Sequence, residues 1–287
     1  MNYNYGACWP FLSGWVAAAL FELDFLPQAQ HVLMANARHT FDNALGTVME
    51  LFSGHQNTWP QEGVPHQGFS STGIVLPLVR GLLGLDGNAL DKTASFRPSF
   101  PAGWPAVSVS NWRIGEARLD VEFVRSKDRI VLRVRSDKAG GYRFFFAPAL
   151  GLGAKVISAG ATGRPVEFVA EEPPYAQSLR PRLEFPLTGD DTVELRFTPG
   201  PEIVLPEIVS ATGDMSAGPR LIRSRLAGRD LVLSLEGPAG GRLAIGVLNG
   251  DRVDGVTGAV FDGCTLTVAF PPSARPEVQA EVTLRLK

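Results

Sequence analysis

The sequence predicts a multidomain α plus β chain, with helices first and then two antiparallel β-sandwich-like domains. Three observations predict it. Apolar residues recur at helical spacing through the first 90 residues, the period drops to 2 from Ser95 onward, and the alternating pattern breaks at Thr198-Pro199-Gly200-Pro201 before resuming. With 287 residues, 45% hydrophobic and 20% charged, the chain has an ordinary globular composition and length enough for more than one core. The expected domains are 1–94 (helical), 95–202 (first sandwich) and 203–287 (second, smaller sandwich).

Pro10 suits the first turn of a helix, where its missing N–H costs nothing, and Leu12, Val16, Leu20 and Leu23 follow at helical spacing. Pro27 repeats the device: Ala29, Val32, Leu33, Ala37, Phe41 and Leu45 form an apolar stripe that ends at Gly46, a residue suited to a left-handed cap. Ser70 or Ser71 is placed to cap a third helix, whose apolar face is Ile74, Leu78, Val79, Leu82 and Leu83, with Pro77 inside it and Gly84 at its end. Three helices of alternating direction do not close a domain and read as the last part of a larger helical array. The strands then alternate apolar and polar residues, as in Leu119, Val121 and Phe123 or Ile130, Leu132 and Val134, with Lys127-Asp128 and Gly140-Gly141 as turns. The second β region repeats the pattern from Leu221 to Leu286.

Between the second and third helices lies the segment richest in chemistry, TVMELFSGHQNTWPQEGVPHQGFSS, from Thr47 to Ser71. It gathers Glu50, His55, Trp59, Glu62, His66, Gln67 and Phe69 in a polar, aromatic stretch broken by Gly and Pro. A long aperiodic loop held between rigid elements is where function is carried. All four histidines and three of the five tryptophans fall in the first 90 residues, where Arg38 and Arg80 are the basic side chains.

Several function classes fall away. A net charge of −2 without a basic run gives no attraction for nucleic acid or an anionic membrane, and no apolar run is long enough to span a bilayer. Cys8 and Cys264 lie at opposite ends of the chain, so no disulfide framework or CxxC site is predicted. The histidines lack a zinc spacing such as HExxH, so neither a catalytic metal nor a cofactor is expected. The opening MNYNYGACWP is not a secretory signal and reads as the inside of a motif. Met1 is therefore expected to be an internal residue of a longer protein, which leaves cytoplasm and periplasm both open.

Four segments carry a resemblance: YNYGACWPFLSGWVAAALF, VMELFSG, PHQGFSSTGIVLPLVRGLLGL and FRPSFPAGWPAVSVSNWRIGEARLDV. In this order and spacing they resemble the C-terminal part of bacterial (α/α)6-barrel glycoside hydrolases of the glycogen-debranching, amylo-α-1,6-glucosidase type. The resemblance implies that the helices are the last of an (α/α)6 toroid and that the substrate is an α-glucosidic or related oligosaccharide, hydrolysed with inversion. It implies that Glu50 is the general base and that Tyr5, Trp9, Trp59, His66 and Gln67 bind the sugar. Glu62 is the rival carboxylate, and Phe69 stands where the family's pattern has Trp. The general acid would lie in the missing N-terminal part of the same barrel, so the isolated chain is expected to be inactive. The rival from another class is a noncatalytic carbohydrate-binding or assembly module with a helical appendage. A sugar phosphorylase on the same barrel would need an anion site that the scarcity of basic residues before Arg97 disfavours.

Overall fold

Helix formation at the start of the chain follows from Pro10, which sits in the first turn of α1 (Pro10–Glu22) behind Trp9 in an extended conformation. Helix α2 is Leu26–Arg38 and α3 is Gly68–Leu76, and the latter runs on through a wide π turn, Pro77–Leu82. This computed structural model describes residues 6–41, 45–59, 63–138, 140–171, 178–207, 209–215 and 218–287. It is mostly strand, 46% against 18% helix.

The face that α1 buries is not the predicted one. Pro10, Gly14, Ala17 and Phe21 point inward, whereas Leu12, Val16 and Leu23 are exposed. The reason is a backbone-to-backbone crossing: a Cβ on Gly14 would lie 2.1 Å from the Gly73 carbonyl oxygen, and one on Gly73 would lie 2.5 Å from that of Pro10. Small residues let α1 and α3 approach where the larger stripe would hold them apart. Pro77 brings no N–H to the Gly73 carbonyl four residues earlier, and buried Asn36 of α2 donates to it through Nδ2 at 3.1 Å and to the Pro10 carbonyl at 2.8 Å. One amide thus joins three helices. Asn36→Ala is expected to cost about 1–3 kcal/mol, read as a lower denaturant midpoint at unchanged slope.

Helix α2 is shorter than its stripe suggested, ending at Arg38 and followed by a single 3-10 turn, His39–Phe41. The Thr40 hydroxyl donates to the Ala37 carbonyl at 2.7 Å, an alternative partner of the kind by which Ser and Thr end helices. Phe41 and Leu45, the last two residues of the predicted stripe, are exposed. Nor does Ser70 or Ser71 cap α3; Gln67 is its N-cap, in an extended conformation.

The first sandwich begins at Leu85, inside the segment that the sequence assigns to the helices. One sheet runs in the order Phe168–Glu171, Arg180–Pro186, Arg143–Phe146, Thr93–Phe96, Leu85–Asn88. The other is Arg164–Pro165, Lys155–Ala161, Asp190–Thr198, Arg129–Ser136, Ala117–Arg125, Ala106–Ile114. Pairing is antiparallel except between Thr93–Phe96 and Arg143–Phe146, which run parallel. Inward-facing Phe96, Phe144, Phe146, Ile130 and Leu132 build a core continuous with Phe21 and Leu33 of the helices, so the helices and this sandwich share one apolar interior.

A buried charge cluster fastens that junction. Asp24, in a left-handed turn at φ 61° after α1, pairs with Arg180 Nε, and its other oxygen accepts from Arg97 Nη2 at 2.9 Å. Arg180 also donates to the Ser99 hydroxyl at 2.7 Å and to the Ala147 and Pro98 carbonyls at 2.9 and 3.2 Å. Burial pushes Arg180 down to about 10, against the opposing pull of Asp24, so it stays charged at neutral pH.

The second sandwich pairs a sheet ordered Glu202–Val204, Arg242–Leu248, Thr265–Ala269, Val260–Phe261 with one ordered Arg220–Ala227, Asp230–Pro238, Glu277–Leu286, Val253–Thr257. It has its own core, centred on Leu233, Ile245, Leu266, Val268 and Leu284. Arg125 and Glu202, both nearly buried, form an ion pair across the two sandwiches; burial pushes Glu202 up and Arg125 pulls it back. No helix among the described residues is long and apolar enough to cross a membrane.

Candidate active site

Glu50 lies at a bend in a buried, non-helical segment flanked by Val48, Met49, Leu51 and Phe52, and it is itself 7% exposed. The chain that leads into α3 holds it. Glu50 N donates to the Val64 carbonyl at 3.0 Å and Gln67 N to that of Val48 at 2.9 Å, while the Ser70 hydroxyl reaches the Glu50 carbonyl at 3.3 Å. The carboxylate accepts at both oxygens, from Val64 N at 3.1 Å and from Gln67 Nε2 at 3.3 Å. A buried carboxylate with its backbone and both oxygens anchored is aimed at one point, as a group that orients water or a hydroxyl must be.

Of the other candidates, Gln67 touches Glu50 directly. Trp59 is 42% exposed, and its Nε1 donates to the Gly63 carbonyl at 3.1 Å. Gly63 directly precedes Val64, whose N–H meets the Glu50 carboxylate. Trp9 is half-buried and comes near through a short ladder in which Cys8 pairs with Phe52 and Ala7 with Ser53. It meets Phe11 edge-on at 6.0 Å, and Phe11 in turn meets Phe69 at 4.8 Å. Phe69 thus belongs to an aromatic cluster on the exposed side of the helices. The His66 side chain is exposed and makes no hydrogen bond among the described residues. Tyr5 and Glu62 lie outside the described residues.

His31 is half-buried in α2, where burial pushes it down, and His39 stacks on Phe52 with ring centres 3.8 Å apart. Among the described residues no group of three or more His, Cys, Asp or Glu could hold a metal ion.

Two contributors were not read from the sequence. Ser70 and the Val64 backbone both brace Glu50, and their signal was only the regular spacing of Gln67 and Ser70 at a helix start. The second is a strap from the C-terminal sandwich. Asn57 N donates to the Asp214 carbonyl at 2.8 Å, Gly213 N donates to the Asn57 carbonyl at 2.9 Å, and Asn57 Nδ2 reaches the Ser210 hydroxyl at 3.0 Å. The turn between Glu50 and Trp59 is therefore held from the far domain as well as from α3.

No family model matches the chain, and none of the curated proteins matches it.

Proposed function

We propose that this chain supplies the general-base half of a glycoside hydrolase site that acts on α-glucosidic or related oligosaccharides with inversion. The observation that carries the reading is Glu50, a buried carboxylate fixed by Val64 N and Gln67 Nε2 at 3.1 and 3.3 Å, with exposed Trp59 bonded to Gly63, the residue before Val64. An inverting enzyme needs a carboxylate that holds one water in line with the anomeric carbon, and an acid on the other side to protonate the leaving oxygen. An aromatic face suits the C–H face of a pyranose. Exposed Leu12, Trp15 and Val16 on α1, Val75 on α3 and Leu78 in the π turn that follows it fit an array continued by further helices of the same (α/α)6 barrel, which would also bring the acid.

The test is the anomer released. When the chain is joined to the helices that complete the barrel, proton NMR of the first turnovers on an α-1,6-linked glucoside is expected to show the β anomer appearing before mutarotation. First release of the α anomer, or no hydrolysis by the completed barrel, overturns the reading. The share of strand favours a second reading, a noncatalytic carbohydrate-binding or assembly module. It would bind oligosaccharide without cleaving it in any context.

A further inference from the structure

The outer face of the sheet that contains Ala117–Arg125 is solvent-exposed and laced with ion pairs. Arg129 and Arg196 share Glu194 at 2.6 and 2.7 Å, and Arg133 and Arg135 share Glu122 at 3.8 and 3.5 Å. One corner departs from this pattern. The edge hairpin turns at Gly115-Glu116, and its register sets Arg113 directly opposite Arg118. Like charges directly opposite in an antiparallel pair are destabilising, yet neither guanidinium has an ion pair among the described residues.

Each of the two nearby aspartates accepts a backbone N–H at one oxygen. Asp120 Oδ1 accepts Asn111 N at 2.8 Å and Asp137 Oδ1 accepts Arg118 N at 2.8 Å. Asn111 sits at φ 58° in a bulge between Val109 and Trp112, and its side-chain oxygen accepts from Arg113 Nε at 3.4 Å. The bulge therefore orients the Arg113 guanidinium and leaves its two terminal nitrogens without a partner among the described residues. These groups, with Arg135 and Ser136, line an open depression of about 610 Å³. Of its three arginines Arg135 already shares Glu122, which leaves Arg113 and Arg118 as the two without an ion pair among the described residues, beside Asp120 and Asp137.

We infer that this depression is an oxyanion-binding site in which Arg113 and Arg118 clamp a carboxylate or phosphate group. Guanidinium pairs match such groups because their paired N–H donors meet two oxygens at once. The ligand chemistry is that of an acidic saccharide or of a free phosphate. The inference stands apart from the function proposed for Glu50.

Calorimetric titration of the 287-residue chain with inorganic phosphate, with glucuronate and with neutral glucose, at constant ionic strength, tests it. Saturable binding of at least one anion is expected, with none for glucose. Arg113→Ala and Arg118→Ala should each weaken it by about tenfold or more, while Arg196→Ala leaves it unchanged. Tighter binding of glucuronate than phosphate assigns an acidic sugar, and the reverse order assigns phosphate. Should either Ala variant unfold, Arg118→Gln keeps a polar, unbranched side chain and removes the charge. Without anion its melting temperature should equal or exceed that of the parent, and it should not rise on adding the anion that stabilises the parent. No saturable binding of either anion, or an equal loss in Arg196→Ala, overturns the inference.

Discussion

On the function proposed here, Glu50→Gln in the chain joined to the helices that would complete the barrel is expected to lower kcat by about 10² to 10⁴, the usual cost of losing a general base, with KM within a few-fold. The amide keeps the shape of the side chain but not its chemistry. Glu50 accepts at both carboxylate oxygens, from Val64 N and Gln67 Nε2. A glutamine offers one acceptor, so its NH2 must face one of these donors, and the side chain has no basic oxygen left to take a proton from water. The stability cost of one lost bond is about 1 kcal/mol, so a melting curve separates loss of chemistry from loss of fold. Glu62→Gln should remain within a few-fold of the parent. Full kcat in Glu50→Gln together with collapse in Glu62→Gln would move the base to Glu62.

Asp24→Ala should be strongly destabilising, at about 3–5 kcal/mol, because it strands a buried cation. Arg180 loses the partner at its Nε and Arg97 loses the 2.9 Å contact, yet Arg180 remains buried against the Ala147 and Pro98 carbonyls. Against a typical total of about 5–15 kcal/mol, that loss is large. Asp24 also occupies a left-handed conformation, φ 61°, which Asn tolerates better than Ala. Asp24→Asn therefore removes the charge without the backbone penalty and should fall between the parent and Ala. Urea midpoints for the three proteins check this order, and an Asn variant as stable as the parent would show that the charge pair contributes nothing net.

The sequence by itself determined what is encoded locally. Pro10 set the start of α1, Gly84 its left-handed stop after α3 at φ 63°, and strict alternation set the inward residues of strands such as Ala117–Arg125. Glu50 and Gln67 were both singled out within the polar, aromatic segment from Thr47 to Ser71, and their roles were what the family resemblance implied. Only the tertiary structure decided that these two touch, because their contact depends on how the segment of Glu50 lies against the entry to α3 rather than on any periodicity. The buried face of α1 escaped reading for a related reason. Hydrophobicity favours Leu12 and Val16, but a helix crossing made through Gly14 and Gly73 selects for smallness, which a period of apolar residues does not record. Asn36, Asp24 and Arg180 read as ordinary polar residues until the fold removed them from water. Once buried, each must find its partners among residues far along the chain, and those partners are set by packing, not by neighbours in sequence.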